Sequence, residues 1–382
     1  MKNRVVLAVI FVTFSIFVHT VCSANTDFRP GQIWLDTNSV HINAHGGGLY
    51  YEKGTYYWFG EHKIQGEAGN KAYVGVHCYS SPDLYNWKDE GIALKVSSEP
   101  NHPLTAGCVL ERPKVIHNAK TGKYVMWFHL ELKDTGYSSS MTGLAVSTRV
   151  TGPYTFLKAL RPDKKSWSLN VPDADKRPAD PRINSFSFGG ASLPKADFDL
   201  RIFARDFEKG QMSRDMTLFV DDDGKAYHIH SSEENSSLHI SLLTDDYLDF
   251  AGKYVRVFTD RFMEAPVVFK SKGKYYFIGS GCTGWSPNAA RSAVADNIFG
   301  PWTELGNPCI GEKADTTFDS QSTFVLPLAG RNDAFIFIAD RWNPKNAIDG
   351  RYIWLPITFT PDSRISIKWL DSWNLSYFDK QK

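Results

Sequence analysis

One glutamate of this chain stands among side chains that would strip away its charge. Phe262-Met-Glu264-Ala-Pro-Val-Val-Phe encloses a carboxyl in apolar neighbours. Burial disfavours the ionised form of an acid and raises its pKa. A carboxyl kept protonated near neutral pH is suited to giving its proton to a leaving group. Other polar residues mark the ends of apolar runs: Glu61 closes Tyr-Trp-Phe-Gly-Glu, Glu111 opens Glu-Arg-Pro-Lys-Val, and Asp215 precedes Met-Thr-Leu-Phe. Gln321 lies in Asp-Ser-Gln-Ser-Thr-Phe, and Asp340-Arg341-Trp342 ends another run. Each has an ordinary reading as well. Glu111 beside Arg112 can be a surface ion pair, and Asp215 can be a strand-start turn residue. His45 is followed by three glycines, which permits close backbone approach to a ligand or simply a turn. A phosphate-cradling loop would need a Lys-Ser/Thr pair and a following helix, and neither is present.

Something must bring such scattered residues together. A glycine-bearing turn followed by aromatic and β-branched residues recurs at Gly54-Thr-Tyr-Tyr-Trp-Phe, Gly122-Lys-Tyr-Val-Met-Trp, Gly224-Lys-Ala-Tyr-His-Ile and Gly273-Lys-Tyr-Tyr-Phe-Ile, with a looser copy at Arg331-Asn-Asp-Ala-Phe-Ile-Phe-Ile. Each reads as a hairpin turn into a half-buried strand. Repeats of this spacing fit the blades of a propeller, which need roughly 40–50 residues each. The expectation is an all-β, five-bladed β-propeller whose blade starts converge on one face. Residues 25–382 then form one domain, with a Pro-, Asp- and Lys-rich insertion at about 160–212 of the kind that serves as a lid or binding loop.

A net charge of +1 and the lack of a basic run past the N-terminus give no support to nucleic-acid binding. Aromatics at 14% fill a β core, and a few at a site mouth could stack on sugar rings. Residues 1–24 read as a secretory signal: Lys2 and Arg4, an apolar run from Val5 to Val18 that is short for a membrane span, then Cys22-Ser-Ala24 as a small-residue cleavage site. The expected location is periplasmic or secreted, with lipid anchoring at Cys22 the disfavoured alternative. Export permits disulfides among Cys78, Cys108, Cys282 and Cys309. Pairing by sequence neighbourhood joins 78 to 108 and 282 to 309. No zinc motif occurs, and no cofactor is expected. A structural calcium in the channel has no ligand motif in its favour.

Glu264-Ala-Pro before a Gly-Lys-Tyr-Tyr strand resembles the general-acid blade of glycoside hydrolase family 43. The strings His-Gly-Gly-Gly, Tyr-Trp-Phe-Gly-Glu-His-Lys, Glu-Arg-Pro-Lys-Val, Cys-Thr-Gly-Trp-Ser-Pro-Asn and Asp-Arg-Trp are similar to its exo-β-1,3-galactanase branch. The resemblance covers nearly the whole mature chain. It implies a five-bladed propeller that inverts the anomeric centre and releases terminal galactose from β-1,3-galactan, the arabinogalactan backbone. By the same resemblance Glu264 is the general acid. Gln321 takes the place of the usual base, and Glu111 is a catalytic-site residue near the acid that tunes or positions it. His45, Glu61, Tyr137, Asp215, Trp285 and Arg341 bind substrate. One departure from the wider family matters: where most members carry an Asp-Pro base in blade one, this chain reads Ala44-His45-Gly46-Gly47. A neutral amide is a poor proton acceptor, so Gln321 either acts as an imidic tautomer or only positions the water while another acid takes the proton. Two other readings stay open: an α-L-arabinofuranosidase on arabinogalactan side chains, and a sugar-binding propeller without catalysis.

Overall fold

The computed structural model describes residues 24–381, apart from 189, 190 and 285. The signal segment and Trp285 therefore lie outside the described residues. The chain runs through β1 (His45–Glu52) and β2 (Thr55–His62), then a two-residue strand β3 (Lys71–Ala72), then β4 (Gly75–Ser81) and β5 (Lys88–Lys95). The second sheet follows with β6 (Cys108–Asn118), β7 (Lys123–Glu131), β8 (Met141–Ser147) and β9 (Thr155–Leu160), and β3 joins its β6 edge. The third is β10 (Met216–Val220), β11 (Ala226–Ser232), β12 (Ser237–Leu243) and β13 (Phe250–Val257). The fourth is β14 (Met263–Ser271), β15 (Lys274–Gly281), β16 (Arg291–Ala295) and β17 (Thr303–Gly306). The fifth is β18 (Cys309–Ile310), β19 (Gln321–Pro327), β20 (Phe335–Arg341), β21 (Arg351–Phe359) and β22 (Ile365–Lys368), in the order β18-β22-β21-β20-β19.

These five sheets are blades around one axis. The first long strand of each blade is innermost: β1 packs against β6, β6 against β10, β10 against β14, β14 against β19, and β19 back against β1. The glycine turns of the sequence are the hairpins that join each innermost strand to its neighbour. Lys53-Gly54 and Lys272-Gly273 have φ of 49°/84° and 49°/77°. Positive φ at both central residues is the type I′ geometry that matches strand twist.

The repeated strands are not half-buried as their sequence suggests. Both of their faces are covered, because each blade lies between two others. On β15, Tyr275 and Phe277 join the core shared with blade three, while Tyr276 and Ile278 join that shared with blade five. On β2, Trp58 faces blade five and Phe59 faces blade two. A strand buried on both sides needs no polar alternation, and each large apolar side chain so buried contributes about 1.5–3 kcal/mol.

The four described cysteines are unpaired, which corrects the expected disulfides. Cys78 sits in blade one opposite Phe59 and Cys108 begins blade two, both in the core between those sheets. Cys309 lies in the core between blades four and five, whereas Cys282 is at the end of β15. Burial pushes the Cys108 and Cys309 thiols up to about 12, so they stay protonated and inert. Between β9 and β10, the described residues of 161–215 hold short helical turns, among them Ile202–Arg205. No helix among the described residues is long and apolar enough to cross a membrane.

Candidate active site

In an antiparallel hairpin the start of one strand and the end of the next share one edge. The starts of the innermost strands and the ends of their neighbours therefore meet at one mouth of the propeller. There they line a cavity of about 680 Å³ that holds His45, Glu61, Glu111, Tyr137, Asp215, Glu264 and Gln321 together.

A local device aims several of them. In β1, β6 and β14 the pairing register slips just past His45, Glu111 and Glu264. The residue after each has positive φ: Gly46 at 63°, Arg112 at 54° and Ala265 at 53°. A bulge of this kind bends the strand and re-aims the side chain before it. In β19 the register slips between Ser322 and Phe324, just past Gln321.

Arg112 is the hub, and the sequence reading passed over it as half of a surface ion pair. It is buried. Its Nε lies 2.9 Å from Asp215 Oδ1, its Nη1 donates to Ser322 O at 2.9 Å, and its Nη2 donates to Gln321 Oε1 at 2.5 Å. Its backbone N–H donates to Glu61 Oε1 at 2.9 Å. One side chain thus ties blades two, three and five. Its fork also fixes the Gln321 amide: with Oε1 accepting from Arg112, Nε2 donates to Ser280 Oγ at 2.8 Å.

Glu264 accepts from Asn235 Nδ2 at 2.8 Å, and the Cys282 thiol lies beside it. Burial, helped by the nearby Asp215 anion, lifts its carboxyl to about 7 against the opposing pull of Arg112. Asp215 stays ionised: its burial is outweighed by Arg112, and the Ala265 N–H donates to it at 2.9 Å. Glu61 is likewise buried, yet Lys63 at 2.5 Å holds its carboxyl low.

Glu111 accepts from Tyr137 OH at 3.0 Å, from Asn70, and from His129 Nδ1 at 2.7 Å. The other nitrogen of His129 lies 3.0 Å from Glu131 Oε1. Burial opposes its charge, but the two carboxylates push it up to about 9, so it is an imidazolium that donates to both. Ligand atoms of Glu111, His129 and Asp215 lie within 4.8 Å of one another. They do not fit a cation, because His129 spends both nitrogens on carboxylates and Asp215 is already paired with Arg112.

Arg341 does not line the cavity, which corrects its expected role. Side chains alternate along a strand, so Asp340 and Trp342 face the cavity and Arg341 turns away. Its Nε donates to Phe318 O at 3.0 Å and its guanidinium lies 5.3 Å from the Trp369 ring centre. Trp342 instead lies 5.1 Å from the His45 ring. Asp340, marked in the sequence only as the end of an apolar run in the Asp-Arg-Trp string, also lines the site, as do Asn70, His129 and Asn235, which no sequence signal marked.

The sequence profile of glycosyl hydrolases family 43 matches residues 199–349. A family 43 β-1,3-galactosidase solved with galactodeoxynojirimycin is 48% identical, with a TM-score of 0.86, over 91% of this chain and 100% of that one. The chain belongs to glycosyl hydrolase family 43. An exo-β-1,3-galactanase from Clostridium thermocellum is 33% identical, with a TM-score of 0.73, over 91% of this chain and 66% of that one. One from Phanerochaete chrysosporium, solved with β-1,3-galactotriose, is 29% identical with a TM-score of 0.73, over 92% of this chain and 68% of its own length. Another family 43 β-1,3-galactosidase, 37% identical, is covered over 65% of its length. An α-L-arabinofuranosidase from Clostridium thermocellum is 15% identical and shares the fold alone. No curated protein matched.

Proposed function

We propose that the protein is an exo-acting, inverting β-1,3-galactosidase that removes terminal galactose from the β-1,3-galactan backbone of arabinogalactan. The observation that carries this reading is a half-buried Glu264 carboxyl facing one cavity with an amide fixed by Arg112, and desolvation lifts that carboxyl to about 7. The 48% identical β-1,3-galactosidase supplies the substrate class.

Inversion in a single displacement needs an acid on one side of the glycosidic bond and an activated water on the other, the two groups being roughly 6.5–9.5 Å apart. Glu264 gives its proton to the leaving oxygen. Gln321, with its carbonyl taken by Arg112, orients the water. Glu61, Asp215, Tyr137 and Glu111 offer fixed acceptors and a hydroxyl to the ring hydroxyls, and Trp342 and His45 provide flat surfaces beside them. Export follows the basic and apolar N-terminal residues, and N-terminal sequencing of the protein from cell fractions tests cleavage near Ala24.

The test is release of galactose from β-1,3-galactobiose and from debranched arabinogalactan, with the product anomer followed by NMR and an aryl arabinofuranoside as control. The α anomer of galactose is expected first. Preferential turnover of the arabinofuranoside, or no turnover at all, would overturn the reading. Glu264→Gln should lower kcat by about 10²–10⁴-fold, while an iminosugar that mimics galactose still binds.

A further inference from the structure

An inverting hydrolysis must put a water proton somewhere, and the amide of Gln321 is badly placed to receive it. Oε1 faces a guanidinium donor and Nε2 donates to a hydroxyl. Both ends of the side chain are therefore engaged.

The other acids of the cavity are no freer. Glu61 and Asp215 are held low by Lys63 and Arg112 despite their burial. Glu111 is engaged on both oxygens, by His129 on one and by Asn70 and Tyr137 on the other. Asp319, nearer the surface, is bound by Lys313 and Thr316. His45 is half-buried, and desolvation keeps it neutral and depresses it to about 4.

Asp340 differs from all of these. It is 4% exposed and lines the cavity. Its Oδ2 accepts from Gly46 N–H at 2.5 Å and lies 3.2 Å from His45 Nδ1, while its Oδ1 is buried without a hydrogen-bond partner. It is also in register with the site. Glu264 pairs with Ser280 across β14–β15, Ser280 Oγ holds Gln321 Nε2 at 2.8 Å, and Gln321 pairs with Asp340 across β19–β20. Directly paired residues place their side chains on the same face, with Cβ atoms about 4.5–5.5 Å apart. The row therefore reads acid, water-orienting amide, second carboxylate.

We propose that Asp340, from blade five, is the proton acceptor for the attacking water, standing in for the acid that blade one lacks. This rests on the glycosidase reading above. In the step, the water oxygen bonds to the anomeric carbon as the glycosidic C–O bond breaks. Glu264 gives its proton to the departing oxygen, and the water gives one to Asp340 Oδ1, directly or through one bridging water. Glu264 ends as carboxylate and Asp340 as acid, and exchange with solvent restores both. Burial supports the assignment by raising the proton affinity of Asp340 to about 7, with Glu61 adding to it and Gly46 N–H, Arg112 and Lys114 opposing it. His45 and Tyr352 also border it.

Asp340→Ala and Asp340→Asn are assayed with and without sodium azide, an anionic nucleophile that needs no base. Wild-type turnover of β-1,3-galactobiose tests the glycosidase reading by itself. If another glycoside proves to be the substrate, the variants are assayed on that one. Both variants are expected to lose at least about 100-fold in kcat with little change in KM. Azide should restore turnover of Asp340→Ala and yield galactosyl azide of inverted configuration. Retention of kcat within a few-fold would overturn the proposal. A loss that azide does not rescue would overturn it too, because that marks a structural role. If circular dichroism shows Asp340→Ala unfolded, Asp340→Asn with azide decides, its fold checked by binding of the iminosugar.

Discussion

Glu264 and Asp215 face the same cavity, and their charges cannot be set independently. Burial and the Asp215 anion both raise the Glu264 carboxyl, to about 7, while Arg112 pulls it down. An acid catalyst works in its protonated form, so kcat/KM, which reports the free enzyme, should fall as pH rises through about 7. Asp215→Asn removes the anion and leaves Arg112 in place. Losing the anion while Arg112 remains favours ionised Glu264, so the falling limb should move to lower pH. The pH profile of kcat/KM for the two proteins checks this, and a limb that stays put or moves up would assign the raised proton affinity to burial alone. Residues of this kind were partly legible. Glu264 announced itself through its apolar neighbours, which are local in sequence. Arg112, His129 and Asp340 did not, because what defines them is a partner in another strand or blade: Gln321 for the first, Glu111 for the second, Gly46 for the third.

At the scale of the strand, the same bulge recurs at the starts of three innermost strands. It stores strain in residues that are not glycine. Arg112 and Ala265 hold φ of 54° and 53°, a region that costs about 1–3 kcal/mol and persists only where the surroundings fix it. Around Ala265 they do: its N–H donates to Asp215 at 2.9 Å and its carbonyl accepts from Ser322 Oγ at 2.7 Å. Ala265→Gly should therefore leave activity within a few-fold. Ala265→Val adds a β-branched side chain, an outlier at such φ, at a fully buried position. It should lower stability by about 2 kcal/mol or more and lower kcat as well, because the bulge aims Glu264. Urea unfolding and steady-state kinetics on both variants check the pair, and a fully active, stable Ala265→Val would remove the bulge from the account. The hairpin turns were legible because Gly54, Gly122, Gly224 and Gly273 sit at fixed offsets from aromatic strands. The bulges were not, since Glu-Arg-Pro and Glu-Ala-Pro carry no glycine to mark the left-handed residue.

A propeller must also close on itself. Four of its blade interfaces lie between sheets that follow one another in the chain. The fifth, between blade five and blade one, joins the two ends. Phe28 and Trp373 exchange backbone hydrogen bonds of 2.7 and 3.1 Å. The Trp373 ring lies 4.5 Å from that of Phe28, and its Nε1 donates to Trp354 O at 2.8 Å. Around them Trp58, Trp87 and Trp354 form the core between those blades. Trp373→Ala should therefore cost about 3–5 kcal/mol, as expected for emptying a buried aromatic site. The loss should also be unevenly spread, because blades in a closed ring are held chiefly by their neighbours. Amides of β1, β2, β20 and β21 should gain more hydrogen exchange than those of β11 and β12 in blade three, which is remote from the seam. Exchange mass spectrometry of the variant under native conditions reads this directly. A uniform rise across all blades would mean that the ring opens only by global unfolding, and that the seam is no weaker than the interfaces the chain itself spans.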